Sequence, residues 1–198
     1  AMSFRKEKKF RMSYSDLALA KTRLLEMGMT KLHPNRVITS QYFDTRCLKM
    51  FSESEEGLLP RKKIRVRWYN SESENLTLEE KTSSIEGRFK ETFPISCDDY
   101  EKSLKTGLSN SMYGVIFPSA KVSYQREYYI YKKMRFTFDS NITYKHFSSS
   151  RVIRDFDRVL EIKSPIDASD DFLEKIFPYP TTRFSKYCRA FLLKDRIL

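Results

Sequence analysis

The sequence predicts an α+β fold: about eight antiparallel strands closed into a barrel, with helices at its periphery. Three observations predict it. Residues 63–69 read Lys-Ile-Arg-Val-Arg-Trp-Tyr, and in an extended strand alternate side chains take opposite faces, so Lys63, Arg65, Arg67 and Tyr69 share one face while Ile64, Val66 and Trp68 share the other. The same alternation recurs: Arg5, Glu7 and Lys9 share a face, as do Glu79 and Lys81, Arg88 and Lys90, Arg135 and Asp139, and Glu161 and Lys163, with largely apolar or aromatic residues between them. Turn-forming stretches separate these runs, and helical patterns stand near the ends of the chain.

Taken in order, residues 4–12 form a first strand. Ser15-Asp16 caps a helix that runs to Gly28, with Leu17, Leu24 and Met27 on its apolar side. Val37 to Asp44 is a second strand. Residues 46–60 hold a short helix and a loop punctuated by Gly57 and Pro60, with the acidic run at 52–56 read as solvated. The strand 63–69 turns at residues 70–75 and returns as 76–82; after a small-residue loop, 88–93 alternates again before Pro94. Ser96 caps a helix to Leu104, with Asp98 and Asp99 at the positive end of its dipole and Gly107 closing it. Strands 120–131 and 134–143 are joined by a tight turn at Lys132-Lys133, and a strand from Arg158 to Lys163 ends at Pro165. Residues 169–177 predict a short amphipathic helix, Pro178 and Pro180 a rigid link, and Ser185 the cap of a last helix through Leu193.

A chain of 198 residues suits a single domain with a sizeable core, and 15 Phe with 12 Tyr exclude disorder and favour strands. The formal net charge of +11 predicts a polyanionic partner: nucleic acid, an acidic membrane surface or phosphate-rich small molecules. Cys47, Cys97 and Cys188 are odd in number and widely spaced, and only His33 and His146 accompany them, which argues against a disulfide framework or a zinc site and fits a reducing compartment. No run reaches membrane-spanning length and no signal peptide opens the chain, so a soluble, cytoplasmic protein is expected. Ala1 before Met2 reads as a remnant of cloning, which makes Met2 the expected native start and any membrane or regulatory domain a separate partner chain.

Lysines on an edge strand are a common guard against aggregation, and that reading accounts for one charged strand. A repeated pattern asks for more, because cations at successive same-face positions repel one another. Two barrel arrangements follow. With the apolar faces inward, the charged faces would be wet, as in a basic barrel that binds nucleic acid. With the apolar faces turned outward beneath helices, the interior becomes a charged channel. The second is favoured: Trp68, Phe89, Phe136 and Phe138 are too much apolar surface to leave wet, the charged faces mix single carboxylates with many cations, and the aromatics lie opposite those faces rather than among them.

The ordered set Arg5-Lys6-Glu7-Lys8-Lys9-Phe10, Tyr42-Phe43-Asp44-Thr45, Lys63 to Tyr69, Glu79-Glu80-Lys81, Tyr124-Gln125-Arg126, Arg135 to Asp139, Leu160-Glu161-Ile162-Lys163 and Ser185-Lys186-Tyr187 resembles VTC domains, the polyphosphate-polymerase branch of the triphosphate tunnel metalloenzymes. The resemblance covers almost the whole chain. It implies a tunnel whose basic walls hold a triphosphate, a divalent cofactor metal (manganese or magnesium) held by a carboxylate, and transfer of the γ-phosphate of ATP or another nucleoside triphosphate to inorganic polyphosphate. Carried over position by position, it makes Lys9, Arg65, Arg67, Lys81, Arg126, Arg135 and Lys186 phosphate ligands and Glu161 a metal ligand. Glu7 and Glu79 match carboxylates that assist the metal or orient lysines, and Arg5, Lys63, Lys90, Lys163 and Asp139 complete the set. Unlike the eukaryotic polymerases of that branch, this sequence carries neither membrane helices nor a regulatory domain.

Three function classes follow: a polymerase; a hydrolase of triphosphate or nucleoside triphosphate, disfavoured by the excess of cations over acids; and a non-catalytic polyphosphate-binding module. No specific nucleic-acid partner is expected, since a sequence-independent binder of DNA or RNA would show steep salt dependence without preferring triphosphate.

Overall fold

A computed structural model gives the fold and describes residues 5–71, 75–165, 171 and 179–193. In chain order the elements are β1 (Arg5–Met12), α1 (Tyr14–Glu26), β2 (Thr30–Asp44), α2 (Lys49–Glu56), β3 (Arg61–Tyr69), β4 (Leu76–Ser84), β5 (Gly87–Ile95), α3 (Cys97–Thr106), β6 (Leu108–Asn110), β7 (Gly114–Tyr131), β8 (Met134–His146), β9 (Ile153–Arg154), β10 (Arg158–Pro165) and α4 (Lys186–Leu192). The strands hydrogen-bond in the order β1-β10-β8-β7-β2-β3-β4-β5, with β6 added to β7 and β9 to β8.

The antiparallel sheet with helices matches the predicted class, but the expected closed barrel is corrected: the described strands form an open path that ends at β1 and β5. Each end has a local reason. The outer edge of β1 is occupied by Thr182, whose N–H donates to the Lys9 carbonyl at 2.9 Å and whose hydroxyl accepts from the Arg11 N–H at 3.1 Å. At the other end β5 carries Pro94, which lacks an N–H, and residues 88–94 are exposed. β2 begins at Thr30 rather than Val37, β7 begins at Gly114 rather than Ala120, and the short strands β6 and β9 add to the expected set. The helix expected at 169–177 lies outside the described residues apart from Asp171.

The backbone falls into two compact units, one of Ala1–Arg36, Tyr124–Ile142 and Asp155–Phe184, the other of Val37–Ser123, Thr143–Arg154 and Ser185–Leu198. In the first unit, α1 starts two residues earlier than expected, because the Ser13 hydroxyl rather than Ser15 accepts from the Asp16 N–H at 3.1 Å. Its Leu17, Ala20 and Leu24 recur at helical spacing and meet Phe10 and Met12 of β1, Phe136 and Phe138 of β8, and Leu160 and Ile162 of β10. In the second unit Met50 of α2 and Tyr100 and Leu104 of α3 cover Phe43, Ile64, Val66, Trp68 and Leu78. α3 begins as predicted, with the Ser96 hydroxyl accepting from the Asp99 N–H. Each unit therefore covers the apolar side of its strands with helices. Phe89 departs from that rule and is 39 % exposed, on the end strand β5 whose residues 88–94 are all exposed. Among the described residues, no helix is long and apolar enough to cross a membrane.

Candidate functional site

In antiparallel pairing, residues directly opposite one another share a face, so the register shows which charges meet. In the second unit, Arg65 of β3 stands between Tyr42 of β2 and Glu79 of β4, and Arg67 stands between Ser40 and Thr77. Lys63 of β3 is opposite Lys81 of β4, which is opposite Lys90 of β5. Three lysines from three strands thus form one cross-strand row. Like charges directly opposite one another destabilise a sheet, so this row is the clearest mark of a surface built for an anion.

Glu79 sits beside that row and is 4 % exposed. Its Oε2 accepts from Arg65 Nε at 2.8 Å and Nη2 at 2.6 Å and lies 3.7 Å from Arg67 Nη1, while its Oε1 accepts from Lys90 Nζ at 2.7 Å. Burial alone would raise the Glu79 carboxyl, but the charges of Arg65 and Arg67, with Lys90, hold it down at about 2. Arg65 is fixed on its other side by Nη1 donating to the Tyr42 hydroxyl at 2.8 Å, and Arg67 Nε donates to the Ser40 hydroxyl at 3.1 Å.

The last helix contributes through its first turn. The Ser185 hydroxyl accepts from the Cys188 N–H and from Lys63 Nζ, the latter at 2.9 Å, and Lys186 follows it, half-buried. Tyr187 is buried, and its hydroxyl donates to Asp44 Oδ2 at 2.5 Å; burial and then the Asp44 charge push that phenol well above its ordinary value. Asp44 also accepts from the N–H groups of Met50 and Phe51, so one buried carboxylate ties together the start of α2 and the last helix.

The first unit carries a second charged face. Glu7 of β1 is opposite Lys163 of β10, which is opposite Arg135 of β8; in the next row Lys9, Glu161 and Thr137 are likewise opposite one another. Arg5 pairs with Pro165 at the end of this ladder. Arg126 forks onto Asp139, which is 0 % exposed, with Nε to Oδ1 at 2.6 Å and Nη2 to Oδ2 at 2.7 Å, and its Nη2 lies 3.8 Å from Glu161 Oε2. Burial disfavours the guanidinium charge, but the Asp139 carboxylate more than offsets it and drives Arg126 well above its ordinary value. Lys163 Nζ meets Glu161 Oε1 at 3.1 Å and Lys9 Nζ meets Glu7 Oε1 at 3.3 Å, while Arg135 is exposed.

Among the described residues no group of three or more His, Cys, Asp or Glu side chains converges on a metal position. A hard divalent ion bound through one or two carboxylates and completed by water and phosphate oxygens needs no such group, and Glu161 and Glu7 present carboxylates on one face. Glu161 has Lys163 at one oxygen and Arg126 3.8 Å from the other, whereas Glu79 is held at 2.6–3.7 Å by Arg65, Arg67 and Lys90. The Glu79 carboxylate positions the cations expected to hold phosphate.

The register groups Arg65, Arg67, Lys63, Lys81, Lys90 and Glu79 on one face, and Glu7, Lys9, Arg126, Arg135, Asp139, Glu161 and Lys163 on another. The sequence reading gave no role to Ser40, Tyr42, Asp44 or Tyr187, although the last three stand in the motifs that carry the family resemblance. A search for alternating cations skips them, although Ser40, Tyr42 and Asp44 alternate on the strand beside β3.

Three solved structures with this fold are named putative adenylate or adenylyl cyclases. The one from Bacillus halodurans superposes with a TM-score of 0.64 at 14 % identity, covering 96 % of this chain and 97 % of that one. The one from Vibrio parahaemolyticus gives 0.59 at 14 % identity, covering 97 % and 99 %. The one from Hippeastrum, described as having a dominant triphosphatase activity, gives 0.58 at 12 % identity, covering 96 % and 97 %. No curated protein sequence matches the chain. The sequence model of the VTC domain matches residues 4–193, a span that holds both charged faces, so the chain belongs to the VTC domain family.

Proposed function

We propose that this protein is a polyphosphate polymerase that transfers the γ-phosphoryl group of ATP to the end of a polyphosphate chain. The observation that carries the reading is the cross-strand row of Lys63, Lys81 and Lys90 beside the oriented forks of Arg65 and Arg67. Phosphoryl transfer asks little covalent chemistry of a protein; it needs phosphate charge neutralised and donor and acceptor held in line. Arg65 and Arg67 bind phosphoryl oxygens through planar forks already aimed by Glu79, Tyr42 and Ser40, and the lysines supply movable point charges. Lys186 adds a charge from the last helix. In the first unit Arg126, held by Asp139, with Lys9, Lys163 and Arg135, supplies the same chemistry.

In the transfer, a terminal oxygen of the acceptor chain forms a bond to the γ-phosphorus as the bridging oxygen to the β-phosphate leaves, releasing ADP. A divalent metal, which Glu161 and Glu7 would hold, would supply further charge neutralisation of the phosphates. Arg126 and Lys163 aim the Glu161 carboxylate.

Hydrolysis is the second reading, favoured by the triphosphatase activity described for the Hippeastrum protein of the same fold. Incubation with ATP and manganese separates the two, with polyphosphate resolved on a gel and free phosphate assayed in parallel. Long chains with ADP are expected. Orthophosphate alone would replace the polymerase with the hydrolase, and the absence of both products would refute catalysis.

A further inference from the structure

Tyr42 is 5 % exposed, and its hydroxyl accepts one hydrogen bond, from Arg65 Nη1 at 2.8 Å. The phenol's own proton has no acceptor among the described residues. We infer that Tyr42 is a further phosphate-binding residue of the β3 face, donating its phenolic proton to a phosphoryl oxygen that Arg65 also binds. The inference rests on the phosphate-transfer reading and adds to it a neutral donor, absent from the set of cations expected to hold phosphate.

The side chain is held for this purpose. Its ring stacks on that of Tyr187, with centroids 4.7 Å apart and planes 19° from parallel, and Tyr187 is pinned through its hydroxyl to the buried Asp44. The Tyr42 carbonyl is bonded by the Ser119 hydroxyl at 3.1 Å, and the Arg65 bond sets the direction of the phenol oxygen. A buried donor locked without an acceptor is costly, and an anionic phosphoryl oxygen removes that cost.

Lys63, Arg65 and Arg67 of β3 surround the hydroxyl with positive charge; Glu79 of β4 bonds to the same Arg65; Tyr187 of the last helix and Asp44 of β2 lie on the stacked side and are bonded to each other. Burial alone would raise the Tyr42 phenol, but the Arg65 charge, with Arg67 and Lys63, outweighs it and brings the group down to about 8. A phenol so acidified is a strong donor to an anion. The two stacked phenols are tuned in opposite directions: Tyr187 is spent on Asp44 and stays protonated, whereas Tyr42 offers its proton among cations. Below about pH 8 Tyr42 is neutral and donates; above it, the phenolate pairs with Arg65 and repels phosphate.

Two measurements on the full chain test this. The first is ultraviolet difference titration of the phenols in the wild-type protein, with and without inorganic tripolyphosphate. One phenol should ionise near pH 8 and move upward when tripolyphosphate is bound. The second is calorimetric titration of tripolyphosphate into wild type and Tyr42→Phe at about pH 7 and about pH 9, on either side of that transition. Tyr42→Phe should weaken binding about tenfold at the lower pH, the scale of one hydrogen bond to a charged group, and the wild-type advantage should vanish at the higher pH. Equal affinities of the two proteins at the lower pH, or a phenol titration indifferent to bound tripolyphosphate, would overturn the inference alone. A wild type with a phenol that ionises near pH 8 but that binds no tripolyphosphate at either pH would overturn the phosphate-transfer reading as well. The spectroscopic arm needs only wild type, so a poorly folding Tyr42→Phe protein does not block the test.

Discussion

Replacing Glu79 by Gln removes the one carboxylate on which Arg65, Arg67 and Lys90 converge, and the consequence can be worked from its titration. The carboxyl's drop from an ordinary 4.5 to about 2 corresponds to roughly 3 kcal/mol, at ~1.4 kcal/mol per pH unit. Because the folded-state value lies below the unfolded one, this stabilisation is fully present above pH 4.5 and is lost as the pH falls through 4.5 towards 2. The variant should therefore be less stable than wild type near neutrality by about 3–5 kcal/mol, the loss of the ion pairs plus the repulsion left among three uncompensated cations. Urea unfolding followed over this pH range measures it: the gap between wild type and Glu79→Gln should close on acidification, and tripolyphosphate should restore the variant at neutral pH by replacing the missing negative charge. Parallel pH curves, or a variant indifferent to tripolyphosphate, would refute the view of Glu79 as a built-in counter-ion.

Arg65→Ala should abolish phosphate binding and turnover with the fold retained, whereas Trp68→Ala, on the opposite face against Tyr100, should cost roughly 2–4 kcal/mol and leave phosphate affinity largely intact; melting curves alongside tripolyphosphate calorimetry check both. Asp139→Asn strands the Arg126 guanidinium in the interior and should cost about 3–5 kcal/mol, seen as a fall of roughly 10 °C or more in Tm. Glu161→Gln leaves the Arg126–Asp139 fork intact, so its Tm should change little while stimulation of activity by manganese falls steeply, read from a metal titration at fixed ATP.

Strand alternation was legible because it is a local property: once residues 63–69 are extended, Arg65 and Arg67 must share a face, and the register bears this out. Caps at Ser96 and Ser185 were legible for the same reason, since each serves an N–H three residues on. At the first helix the sequence reading put the cap at Ser15, and the hydroxyl of Ser13 took it instead. The open end at β1 could not be read, because it depends on Thr182 bonding to the edge of a strand more than 170 residues earlier. For Glu79 the resemblance left open whether it assists a metal or orients cations, and its neighbours in sequence do not tell that Arg65, Arg67 and Lys90 all turn towards it. Tyr42 was hidden by its neutrality, which a search for alternating charge passes over.

The pairing of β1 with β10 also has a consequence for how the chain is made. Arg5 to Met12 finds its partner only at Pro165 to Arg158, so the strand that bears Glu7 and Lys9 must wait unpaired on that edge until about 150 further residues have left the ribosome. β3, β4 and β5, by contrast, are successive hairpins whose partners lie within a few dozen residues. The basic row of lysines can therefore assemble before the face bearing Glu7, Lys9 and Glu161, which waits for β10, and a chain interrupted between β5 and β10 carries the first without the second.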